Sequence, residues 1–100
     1  MLRIEFQDAA NAMAIRMEGR FVDRFAEEAR ELVTRCDFPS KLVVDLSEVS
    51  FVDAVGEDVL AWLGRIGAKF VADSAYSLDV CERLHLPLAW KHARSLPRAK

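Results

Sequence analysis

Several things are scarce in this chain of 100 residues. Glycine occurs four times, always singly, so there is no glycine-rich loop of the kind that cradles a phosphate. Cysteine occurs twice, as Cys36 and Cys81. Each falls at an apolar position of a helical pattern, so buried free thiols in a reducing cytoplasm account for them more simply than a disulfide framework. No run of 18 apolar residues exists, so no membrane-spanning segment is expected. The opening Met1-Leu2-Arg3-Ile4-Glu5 lacks the charged region and apolar stretch of a secretory signal. Charge of one sign is also missing: 14 Lys and Arg stand against 16 Asp and Glu, a net of −2, which argues against a dedicated nucleic-acid surface. Internal repeats and low-complexity segments are absent.

What is present is core material. The chain is 52% hydrophobic and 30% charged, the composition of one packed domain. A domain of this size buries roughly 65% of its unfolded surface and folds without metal or disulfide staples. Charge is uneven along it. Residues 91–100 hold Lys91, Arg94, Arg98 and Lys100 and no acid; the first ninety keep 10 of the 14 basic groups against all 16 acids, a net of −6. An acidic body carries a basic tail, read as a solvated terminus.

Residues 2–7 alternate, with Leu2, Ile4 and Phe6 to one side and Arg3, Glu5 and Gln7 to the other, the signature of a half-buried strand. Asp8-Ala9-Ala10-Asn11 turns the chain. Residues 12–18 alternate again, which predicts an antiparallel hairpin ending at Gly19-Arg20. The period then changes. Val22, Phe25, Ala26, Ala29, Leu32, Val33 and Cys36 form a helical stripe, broken by Asp37-Phe38-Pro39-Ser40. Leu42-Val43-Val44 and Leu46 make a strand apolar on both faces. Ser47–Val52 reads as an irregular connector. A second helix runs from Asp53 to about Ile66, stopped by Gly67, and Phe70-Val71-Ala72 is a short buried strand. A third helix covers about Ser74 to Leu84 and ends before Pro87. The expected fold is α/β: a mixed sheet of four to five strands with about three helices, in the order β-β-α-β-α-β-α, over residues 1–88, with 89–100 as tail. The last two strands, joined through a helix, should be parallel.

Signals for catalysis are thin. Ser and His form no triad pattern. Cys81 and His85 are spaced i, i+4 on one expected helix face, with His92 seven residues later; this spacing suits two zinc ligands or a Cys–His nucleophile pair, but also a core thiol beside a boundary histidine. The segment at residue 53 is more informative. Asp53 is a good N-cap, and Glu57 and Asp58 add negative charge to the first turns. Three acids at a helix start disfavour a bound nucleotide phosphate. The helix they open has an apolar arc about 160° wide, where a helix lying on a sheet needs roughly 100°. Leu60 and Leu63 are its natural core residues. Val55 and Trp62 share a flank that either packs on a neighbouring helix or offers an apolar strip to a partner.

At these residues a family resemblance emerges. Leu42-Val43-Val44-Asp45-Leu46-Ser47-Glu48-Val49-Ser50-Phe51-Val52-Asp53-Ala54-Val55-Gly56 resembles the core signature of STAS domains, the family of anti-sigma factor antagonists and of the cytoplasmic modules of sulfate transporters. Met17-Glu18-Gly19-Arg20-Phe21 is similar to that family's second strand and the turn before its first helix. Cys81-Glu82-Arg83-Leu84-His85-Leu86 is similar to its third helix and the break after it. The likeness spans about residues 2–88. It implies a cytoplasmic, non-catalytic module without cofactor or metal that binds a protein partner, an anti-sigma factor of the kinase-like type, through the start of the second helix. The contact edge would be Asp53, Ala54, Val55 and Gly56, extended by Val59 and Trp62. Two other roles follow from the resemblance: a small subunit of a lipid-transport ABC system docking on its ATPase, and a nucleotide- or anion-binding regulatory domain. The departure from the pattern is at the hydroxyl before the glycine, which the anti-sigma kinase phosphorylates in antagonists. Here that position is Val55, preceded by Ala54, and neither has an oxygen to take phosphate.

Overall fold

The computed structural model describes residues 2–9, 12–35 and 41–89. Along the chain they form β1 (Leu2–Ala9), β2 (Ala12–Phe21), α1 (Asp23–Arg35), β3 (Lys41–Val52), α2 (Ala54–Arg65), β4 (Lys69–Val71) and α3 (Ala75–Arg83). The strands make one four-stranded sheet in the order β1-β2-β3-β4. β1 and β2 are antiparallel, as their short connection requires; β2–β3 and β3–β4 are parallel, as helical crossovers require. This is the α/β order and mixed sheet expected from the hydrophobic periods. Cys36, the 37–40 break and the basic tail from residue 91 lie outside the described residues.

One face of the sheet carries the core. Ile15, Met17 and Phe21 of β2 and Leu42, Val44, Leu46, Val49 and Val52 of β3 join Ala26, Ala29 and Val33 of α1, Leu60 and Leu63 of α2, and Val80 and Cys81 of α3 in a single buried cluster. The other face carries charge: the register sets Arg3 opposite Glu18 and Glu5 opposite Arg16, with Arg3–Glu5 at 2.8 Å and Arg16–Glu18 at 3.4 Å. No helix among the described residues is long and apolar enough to cross a membrane.

Two expectations fail here, for one reason. β2 does not end at Gly19-Arg20, and Ser47–Val52 is not a connector. Both segments are strand, paired as far as Phe21↔Val52. The register shifts between Arg16 and Glu18 and again between Gly19 and Arg20, each time with an extra residue on β3. These two bulges change the phase of the inward side chains, so β3 buries residues 42, 44 and 46 but then 49 and 52. The alternation that marks a strand is thereby erased. Side chains take over freed backbone groups: the Ser47 N–H donates to Asp45 Oδ1 at 2.9 Å and the Val52 N–H to the Tyr76 hydroxyl at 2.8 Å.

The helix ends follow known chemistry. Gly67, at φ +106°, turns the chain after α2. Ser74 caps α3 in a capping box with Ser77. Beyond α3 the chain returns to the sheet. The Phe70 N–H donates to the Pro87 carbonyl, and the Ala89 N–H donates to the Phe70 carbonyl, both at 2.8 Å. A last deviation concerns β1. Leu2 and Ile4 pack against the core, but Phe6, expected to point inward with them, is 41% exposed. β1 is the outermost strand, and the helices pack chiefly on β2 and β3.

Candidate functional site

The carboxyl ends of β2 and β3 point the same way, and α1 and α2 begin there. That edge of an open α/β sheet is where binding sites collect. Asp53 links the two helix starts. Its backbone is extended and its Oδ1 accepts the Gly56 N–H at 2.8 Å, the N-cap bond of α2. Its Oδ2 accepts the Asp23 N–H at 3.1 Å. Asp23 opens α1 with φ +46°, a left-handed conformation that aspartate tolerates better than most residues. The Gly56 N–H holds the Asp53 carboxyl below the ordinary carboxylate range, desolvation opposes this, and the Asp23 N–H reinforces it. Two of the backbone donors at these helix starts, the Gly56 and Asp23 N–H groups, are already bonded to Asp53.

Gly56 is where α2 comes closest to the sheet. A Cβ built there would overlap the Phe21 carbonyl oxygen and lie 2.8 Å from Val52 Cγ1, so glycine is required for contact rather than for backbone conformation. One residue on, Glu57 binds the Arg83 guanidinium at 2.9 Å, and Arg83 also reaches Asp79 at 3.0 Å. Glu57 and Asp79 hold the Arg83 pKa up. The link ties α3 to the first turn of α2; as a surface network its energetic weight is small.

The expected contact edge is only partly on the surface. Ala54 is exposed, while Asp53 and Val55 are half-buried. Val59, expected to extend the edge, is 0% exposed and belongs to the core. The reason is geometric: the buried residues of α2 are Gly56, Val59, Leu60 and Leu63, a stripe of roughly 100° at 100° per residue, and Val59 lies inside it. Gly56 is buried as well. Trp62 is half-buried on the flank toward α1, with the Arg30 guanidinium 5.6 Å from its ring centre. The apolar flank of α2 is therefore largely spent on its neighbouring helix.

One exposed apolar residue was not anticipated from the sequence. Phe51 is 44% exposed at the end of β3, with the Arg20 guanidinium 5.5 Å from its ring centre. Only recognition of the second bulge would have turned this side chain outward. The exposed surface at the start of α2 thus comprises Ala54 and the half-buried Val55, with Asp23 and Asp58 exposed nearby; Phe51, opposite Arg20 and next to the buried Phe21–Val52 pair in the register, points to the helix-free face of the sheet.

The Cys81–His85 pair loses the geometry it needs. α3 ends at Arg83, Leu84 is its C-cap, and His85 follows at φ +56°, so the two side chains do not share a helix face. Cys81 is 2% exposed, and burial pushes its thiol up to about 11, which leaves little thiolate at neutral pH. Among the described residues, no three His, Cys, Asp or Glu side chains cluster as metal ligands would.

No protein-family model matches the chain, and no curated protein matches it significantly. Solved structures do. An anti-sigma factor antagonist from Mycobacterium paratuberculosis superposes with a TM-score of 0.72 at 23% identity, over 98% of this chain and 93% of that one. The anti-sigma factor antagonist SpoIIAA in its unphosphorylated form superposes with a TM-score of 0.69 at 13% identity, over 97% and 96%. The fold is that of the anti-sigma factor antagonists, the STAS fold.

Proposed function

We propose that this chain is a non-catalytic protein-interaction module of the anti-sigma factor antagonist type, which docks its partner on the opening turn of α2 with no phosphorylation switch there. The observation that carries this reading is Val55. It is a half-exposed apolar side chain in the first turn of α2, at the place where the resemblance puts a phosphorylated hydroxyl. Asp53 and the exposed Ala54 stand beside it. A contact of this kind is desolvated on docking and relies on shape, so it is permanent where a hydroxyl would be switchable. Gly56 supports the site by letting α2 seat against β2. Asp53 fills the helix starts, which favours a protein partner over a nucleotide or a free anion.

The test is a calorimetric titration of the folded protein against the kinase-like anti-sigma factor of its own cell. Val55→Asp and Ala54→Arg should weaken binding at least tenfold, about 1.4 kcal/mol or more, with melting temperatures close to that of the parent. Incubation with ATP should leave residues 53–56 unmodified, while Val55→Ser should accept phosphate. Equal affinities for parent and variants, or phosphate on the parent's 53–56 segment, would remove the reading.

A further inference from the structure

The outer edge of β1 is an eight-residue row of backbone groups with no strand beyond it among the described residues. Edges of this length are usually guarded by lysine, proline or a bulge. β1 has no lysine, proline or bulge; its charges, Arg3, Glu5 and Asp8, are of both signs and so can be paired, and its register with β2 is unbroken from Leu2 to Ala9. Its side chains are patterned for another copy of the same strand. In an antiparallel pair, directly opposed residues share a face. With Ile4 opposite Ile4, Arg3 meets Glu5 on the charged face and Glu5 meets Arg3. On the core face, Leu2 meets the exposed Phe6 and Phe6 meets Leu2. Sliding the register two residues either way sets Arg3 against Arg3 or Glu5 against Glu5. A one-residue slip sets Arg3 against Ile4 and loses both matches.

We propose that two copies of this chain pair β1 to β1 about a two-fold axis through Ile4, perpendicular to the sheet, and form one eight-stranded sheet. The axis keeps the helices of both copies on the same face. Arg3 and Glu5, 2.8 Å apart within one copy, become a ring of four alternating charges with their counterparts. Phe6, 41% exposed, gains a cover that the described residues of its own chain do not supply. The pairing uses Leu2–Phe6 and no residue of the start of α2, so the inference stands or falls apart from the functional reading.

Sedimentation equilibrium of the full chain tests it. At on the order of 100 µM, in the range of ordinary homodimer affinities, the mass should be twice 11.3 kDa. Arg3→Glu sets acids opposite acids and should raise the dissociation constant at least tenfold. Arg3→Glu and Glu5→Arg, combined with Arg16→Glu and Glu18→Arg so that the pairs with β2 are kept, rebuild the ring with signs exchanged and should restore the dimer. Circular dichroism verifies that each variant is folded. Should Arg3→Glu not fold, Ile4→Cys in a Cys36→Ser background decides: opposed residues about 4.5–5.5 Å apart at Cα are within disulfide reach, so mild oxidation should give a covalent dimer that the Cys36→Ser parent does not form. A parent mass of 11.3 kDa, indifference to Arg3→Glu, a folded fourfold charge-swapped variant that stays monomeric, or no Ile4→Cys cross-link would each overturn the proposal.

Discussion

Replacing Gly56 by alanine should reverse the usual sign of a helix substitution. Within a helix, alanine is favoured over glycine by about 1 kcal/mol. At Gly56 the added methyl would overlap the Phe21 carbonyl oxygen and crowd Val52 Cγ1 at 2.8 Å. Neither neighbour can yield, since Phe21 and Val52 are both buried in the core. The first turn of α2 must lift from the sheet and strain the bonds of Asp53 to Gly56 and Asp23. Overpacking against backbone belongs at the upper end of the ~1–3 kcal/mol range; set against the propensity gain, the net loss is about 2 kcal/mol. For a domain of this size that is a fall of roughly 8–16 °C in Tm. Gly64 is the control. A methyl there would find Leu86 Cδ2 at 3.5 Å and Phe70 Cε1 at 3.8 Å, ordinary contacts, so Gly64→Ala should stabilise by about 0.5–1 kcal/mol. Thermal and urea unfolding followed by circular dichroism, with unchanged m, report both. A Gly56→Ala protein that melts at or above the parent, or a Gly64→Ala protein that loses as much, would refute the close-approach argument.

Tyr76→Phe removes the acceptor of the Val52 N–H and should cost about 1–2 kcal/mol in urea unfolding; a change within error would show that the bulge needs no partner there. Asp53 has a folded pKa below its unfolded value, so its contribution is present above the ordinary carboxylate pKa and is lost as pH falls through the folded one. Asp53→Asn should therefore flatten the decline of the unfolding midpoint below about pH 4, and parallel curves for the two proteins would contradict the double cap. Cys81, with its thiol raised to about 11 from 9.0, should resist a disulfide reagent at pH 8 in a Cys36→Ser background until urea unfolds the chain. Its contribution to stability is present below pH 9 and fades as pH climbs toward 11; rapid labelling of the native protein would count against its burial.

Most elements were legible because their hydrophobic periods are clean. The α1 stripe buries Ala26, Ala29 and Val33, and Asp53 and Ser74 are the caps their side chains suggest. β3 was legible only as far as Leu46, because two bulges shift which side chains face inward and leave Ser47–Val52 without a period. Phe51 was missed for that reason. Val59 was misassigned because a helical wheel gives the width of an apolar arc but not which part faces the sheet; that depends on Gly56 seating against Phe21. The end of α3 was drawn one residue late because His85, not a glycine, holds the left-handed position after it.

Asp53 leaves the two helices with one latch between them. A partner that pulls on the opening turn of α2 also tugs at Asp23, through the two oxygens of a single carboxylate. A partner docked near Val55, as proposed, would thus be felt at the start of a second helix that it need never touch.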